Sequence, residues 1–136
     1  MQPDVADQLA GVARILRELV APEVTDAYTA DILRGAVTTL EALAAGVDAV
    51  APFLRWDIEA TGALLASVGI EAPASPGDPA DPVVLATWHR EVRRTLESAI
   101  DTIRADPAAS AAAAAHFRAR SARHPLATRP RPMPTA

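Results

Sequence analysis

The residues able to do chemistry are few. The chain holds three histidines, His89, His116 and His124, seventeen carboxylates and no cysteine. Disulfide scaffolds, thiolate metal sites and cysteine nucleophiles are therefore excluded. A di-iron carboxylate bundle needs Glu-x-x-His pairs on two helices, and no glutamate here has a histidine three residues on. His116 and His124 stand about two helical turns apart, too far to share an ion. The three histidines accordingly read as surface residues, and neither a metal nor a cofactor is expected. Ser67, Ser75, Ser98, Ser110 and Ser121 are scattered, none inside a Gly-x-Ser-x-Gly elbow. The six glycines stand singly and form no phosphate loop. Asp57 and Glu59, flanking Ile58, or Asp31 with Arg34, could serve as acid and base in a cleft. On an amphipathic helix such charges more often form the solvated face. No catalytic residue is assigned, and the residues favour a non-enzyme over an enzyme.

The most unusual patch is Pro52-Phe53-Leu54-Arg55-Trp56-Asp57, which holds two of the five aromatic residues. Tryptophan and arginine are enriched where proteins dock. The plainer reading has Phe53 and Trp56 closing one end of a core while Arg55 and Asp57 face water. Trp88, beside His89 and Arg90, admits the same two readings. If the patch docks a partner, its contacts are Phe53, Arg55, Trp56 and Trp88, joined by Phe117, Arg118, Arg120 and Arg123 of the last helix. The alternative is a small-molecule cleft for an acyl or nucleotide ligand between helices two to four. Its lining would be Tyr28, Arg34, Arg55, Trp56 and Asp57.

Charge is divided unevenly. All seventeen acidic residues lie in 1–106 with eight of the thirteen arginines, a net of −9; residues 107–136 carry five arginines and no acid, a net of +5. Such asymmetry suggests an interaction arm. Arg118, Arg120 and Arg123 also suit a helix C-terminus electrostatically, while Arg129 and Arg131 fall in a proline tail. The acidic body would repel a phosphate backbone, and no helix-turn-helix reading element is apparent, which argues against nucleic acid.

With 136 residues, half of them hydrophobic, and a net charge of −4, the chain is too apolar for general disorder and long enough for one core. Its basic residues are all arginine and alanine abounds, a pattern that resembles the codon bias of a GC-rich bacterial genome. The start, Met1-Gln2-Pro3-Asp4, lacks the basic region of a signal peptide. The longest weakly polar stretch, Ala42 to Leu54, is broken by Asp48 and Pro52 and falls short of the roughly 20 residues that cross a bilayer. A soluble cytoplasmic protein without a membrane segment is expected.

Proline and aspartate punctuate the helices. Leu9, Val12, Leu16, Leu19 and Val20 predict a first helix capped by Asp4. Tyr28, Ile32, Ala36, Leu40, Leu43 and Val47 mark a second, ending near Gly46 or Val50. Pro52 opens a third, with Leu54, Ile58, Thr61, Leu65 and Val68 on one side and Gly69 as terminator. Residues 70–81 form a proline-rich crossover loop. Asp81-Pro82 starts a fourth helix bearing Leu85, Trp88, Val92, Leu96, Ala99 and Ile103. Asp106-Pro107 starts an alanine-rich fifth. The expected fold is all-α: a four-helix up-and-down bundle with an additional C-terminal helix, one domain over 1–124, then a flexible Arg/Pro tail over 125–136.

One local pattern adds a resemblance. Leu16-Arg17-Glu18-Leu19-Val20-Ala21-Pro22-Glu23, closing a first helix before a long second one, resembles small helical accessory proteins that accompany aminoglycoside-phosphotransferase-like kinases of bacterial hydroxyacyl-CoA catabolism. The stretch Arg118-x-Arg120-x-x-Arg123-His124-Pro125 resembles the arginine-rich end of such proteins. The likeness covers the first forty residues at most. It implies a non-catalytic subunit and transfers no catalytic residue. The leading expectation is thus an accessory subunit binding a partner protein, of kinase-like or acyl-CoA-metabolising type, or a second copy of itself. The last helix and tail would dock, so that removing 107–136 would leave a folded bundle.

Overall fold

The computed structural model describes residues 3–125. They form five α-helices and no strand: α1 (Val5–Ile15), α2 (Ala27–Ser67), α3 (Pro82–Ser98), α4 (Ile100–Ala105) and α5 (Pro107–Arg123). The chain divides into two compact units, one ending at Ala49 and the other starting at Val50.

Helix starts follow the aspartates. Asp4 accepts from the Asp7 amide at 2.8 Å, and Asp81 from the Val83 amide at 2.8 Å. Asp106 accepts from Ala108 and Ala109 at 3.0 and 3.2 Å. Asp26 caps α2 through the amide and hydroxyl of Thr29 at 2.8 and 2.7 Å, bonds that hold its carboxyl below the usual range. Each cap supplies an acceptor to amides that the first turn leaves unpaired. At the far end of α2, Gly69 has φ +76°, with the Ile70 amide returning to Leu65 and the Gly69 amide to Ala66. That is the glycine-closed stop expected there.

Two boundaries differ from the sequence reading. The expected second and third helices are one, because α2 runs through Pro52 for 41 residues. Proline inside a helix costs about 3 kcal/mol. Between Gly46 and Pro52, however, Asp48 is the only residue with any turn preference, so a break would forfeit helical hydrogen bonds without replacing them. The expected fourth helix is instead two, α3 and α4, parted at Ala99 (φ −91°, ψ −1°). Thr95 and Ser98 hydroxyls bond back to the Glu91 and Arg94 carbonyls at 3.1 Å each, an arrangement that bends helices. By length and composition α2 is also long and apolar enough to cross a membrane, with an 18-residue window of mean hydropathy 1.4. The broken stretch seen in the sequence hid that length.

In the first unit, α1 ends in a π turn (Leu16–Val20) and a 3-10 turn (Ala21–Glu23) before α2 begins. Ala13 and Val37 are buried. Leu9 and Leu16 of the expected α1 stripe are half-buried, whereas Val12, Leu19 and Val20 are exposed. On α2 the covered stripe is Ala30, Leu33, Val37, Leu40, Ala44 and Val47, leaving Tyr28, Ile32 and Ala36 outside. The reason is geometric. Each step of four residues overshoots a full turn by about 40°, so the expected run of fours drifts off the face.

The second unit has a core. Leu64, Leu65, Leu96, Ala99, Ile103, Ala109 and Ala113 form one buried cluster, and Ile58, Leu85 and Val92 another. The 70–81 loop is fastened to this unit by Trp88, whose Nε1–H donates to the Pro73 carbonyl at 2.7 Å. The expected tail lies, from residue 126 onward, outside the described residues, and Arg129 and Arg131 with it.

Candidate functional site

Within the second unit a polar centre sits inside the helices. Asp57 of α2 is fully buried. Its Oδ2 accepts from His89 Nε2 of α3 at 2.7 Å and from Arg120 Nε of α5 at 3.0 Å. Its Oδ1 lies 3.1 Å from His116 Nε2 of α5, but no hydrogen bond is aligned on that oxygen. Thr61, one turn beyond Asp57 and also fully buried, stands 3.3 Å from the same His116 nitrogen. Arg93 of α3 keeps Nη1 buried without a hydrogen-bond partner and lays its guanidinium 5.8 Å from the Phe117 ring centre. One carboxylate thus ties α2, α3 and α5 together.

Electrostatics explain its state. Burial pushes the Asp57 carboxyl up, yet the His89 hydrogen bond and the charges of Arg120 and Arg93 outweigh it and hold the group at about 2. Asp57 is therefore ionised at neutral pH. Burial pushes His116 below its usual value, reinforced by the Arg93 and Arg120 charges and opposed by Asp57. Arg93 is lowered by burial and by Arg120.

The centre is not laid out for nucleophilic catalysis. A hydroxyl–imidazole–carboxylate relay divides hydroxyl and carboxylate between the two ring nitrogens. Here Thr61 and Asp57 face the same Nε2, and Thr61 has no exposure through which to meet a substrate. Among the described residues no group of three histidine, aspartate or glutamate side chains is placed to hold a metal ion.

Around this centre lie the aromatic and arginine residues singled out by sequence. Phe53 is buried, 6.0 Å from Trp56 and 5.2 Å from His124 between ring centres, with Arg120 at 5.7 Å. Trp56 stacks on His116 at 5.6 Å, and the Arg123 guanidinium lies 4.5 Å from its ring centre. Arg55 points elsewhere, donating to the Pro79 carbonyl at 3.4 Å. Phe117 is 37% exposed and Arg118 is exposed. Seven of the eight expected partner contacts, all but Arg118, thus have contacts within the unit itself.

The expected ligand cleft is not assembled as drawn. Tyr28, 76% exposed, and Arg34 belong to the first unit, where Arg34 pairs with Asp31 and lines a cavity of about 410 Å³ beside the Arg17–Glu41 ion pair. Arg55, Trp56 and Asp57 belong to the second. Being consecutive on a helix they diverge by about 100° each. Asp57 goes inward, Trp56 toward α5, and Arg55 toward the proline-rich loop.

Sequence reasoning placed the histidines on the surface, whereas His116 is buried and His89 largely covered. A usable signal existed. Ala109, Ala113, His116 and Arg120 are spaced four, three and four, as are Leu85, His89, Val92 and Leu96. Asp57, Thr61 and Leu64 follow the same rhythm on α2. Polar groups on a buried rhythm meet one another. No family model matches the chain, and no significantly similar curated protein or solved structure was found.

Proposed function

We propose that this chain is a non-catalytic helical subunit that binds a partner protein in the cytoplasm. The observation that carries the reading is the outer face of the first unit. On α1 and its π turn, Val5, Val12, Ile15 and Leu19 stand at spacings of seven, three and four, 59, 48, 51 and 68% exposed. On α2, Tyr28 and Ile32 are 76 and 56% exposed. Covering a valine, leucine or isoleucine fully stabilises by roughly 1.5–3 kcal/mol, so this face is a strong driver of association. Residues 1–49 carry eight carboxylates and three arginines. A net of −5 disfavours a second copy on the same face and favours a partner with a basic amphipathic surface. A partner of kinase-like or acyl-CoA-metabolising type is part of the proposal and rests on the resemblance of residues 16–23.

The docking element moves, in this reading, from the last helix to the first unit, because α5 lends Ala109, Ala113, His116 and Arg120 to the core of the second. Removing 107–136 would unfold that unit rather than spare it. The test is native mass spectrometry of the tagged chain gently recovered from its own cells, beside Leu19→Asp/Ile32→Asp. A second polypeptide at fixed stoichiometry on the parent and absent from the variant is expected. Equal retention on both would refute the face, and a bare parent chain would refute the subunit.

A further inference from the structure

We infer that the second unit binds a small apolar carboxylate in the cavity beneath its proline-rich loop, a ligand function separate from the partner-binding reading. The cavity measures about 580 Å³ and lies between α2, α3 and the 70–81 segment. That is within the range of small-molecule sites.

Its walls are apolar: Ile58 and Trp88, with Ala72, Pro73 and Pro79 from the loop. Trp88 is a fixed wall, since its indole is tied to the Pro73 carbonyl. Gly62 forms part of the floor. A Cβ there would meet only the Ala72 Cβ, at 3.7 Å. Glycine inside a helix costs about 1 kcal/mol relative to alanine, and here the missing side chain leaves open space rather than relieving a clash.

The mouth carries two charges one turn apart on α2, Arg55 and Glu59. They form no ion pair with each other. Arg55 makes a single 3.4 Å bond to the Pro79 carbonyl, so most of its five-donor fork is available to a carboxylate. Glu59 limits the head group. One carboxylate can lie against Arg55, whereas a polyphosphate would bring several negative charges against Glu59. The ligand class is therefore an apolar body with one carboxylate, and nucleotides are disfavoured.

The two tryptophans make the test internal. Trp88 borders the cavity, while Trp56 lies toward α5 and does not. Decanoate is titrated into the full chain while both indole N–H signals are followed by NMR, with decanol and ATP as comparisons. Decanoate is expected to shift Trp88 saturably and leave Trp56 in place. Gly62→Leu, whose side chain would fill the floor, should abolish the shift while retaining cooperative melting. Arg55→Gln should weaken decanoate about tenfold and leave decanol unchanged. No saturable Trp88 shift, equal shifts of both indoles, or undiminished binding by a folded Gly62→Leu would overturn the site. Unaltered decanoate affinity in Arg55→Gln, or binding of ATP, would overturn the ligand class.

Discussion

The first unit and the second are both made of alanine-rich amphipathic helix, yet they bury it to different depths. In the first, Ala13 and Val37 are buried while Leu19, Tyr28 and Ile32 stand more than half exposed. In the second, Leu65, Leu85, Val92 and Ile103 are at most 1% exposed, and even a carboxylate is enclosed. The difference teaches that an apolar stripe records only what a helix could cover. In the second unit α2, α3 and α5 converge on Asp57, each closing the others' open side. The first unit has α1 and one end of α2, and two helices leave outer faces uncovered.

The contrast can be broken most directly at Asp57. Asp57→Ala should cost about 3 kcal/mol, the lower end for a buried ion pair because Arg120 keeps 30% of its side chain exposed. Thermal melts followed by Trp fluorescence report the second unit, which holds both tryptophans, and an unchanged midpoint there would show the centre to be dispensable. Leu65→Ala should cost nearly as much, about 2–3 kcal/mol with the cavity left behind, whereas Leu19→Ala in the first unit should stay within about 0.5 kcal/mol by far-UV circular dichroism, which follows the helices of both units. Equal losses from the two leucines would erase the contrast.

Acid should act on the second unit in two stages. His116 lies below its usual value, so the unfolded chain takes up that proton first, and stability begins to fall as pH drops below about 6.5. Asp57 is held at about 2 against 3.8, so its contribution is complete above pH 4 and lost as pH falls toward 2. At 1.36 kcal/mol per unit that second stage is about 2 kcal/mol. His116→Gln should remove the first stage and leave the second, as read by denaturant melts across pH. The smallest stability effect belongs to Leu19→Asp/Ile32→Asp. It should leave the circular-dichroism melt, which follows the helices of both units, within about 0.5 kcal/mol while removing the partner, so that surface and core separate cleanly.

Much of this protein was legible as sequence where the physics is local. Asp4, Asp81 and Asp106 cap the helices they precede because a short carboxylate reaches the nearest free amides whatever lies beyond. Gly69 ends α2 because a left-handed backbone needs no Cβ. The stripe from Leu85 to Ile103 holds its face although the helix breaks at Ala99, since one residue barely alters the register. Residues whose position depends on several helices at once were not legible. Pro52 reads as a start in isolation, but the chain around it offers nothing better than helix. Asp57 reads as solvated, and only the meeting of α2, α3 and α5 brings His89, His116, Arg93 and Arg120 around it. Burying a carboxylate is unfavourable until those partners are in place, and no stretch of sequence holds them all. That dependence on simultaneous neighbours is what the tertiary structure alone decided.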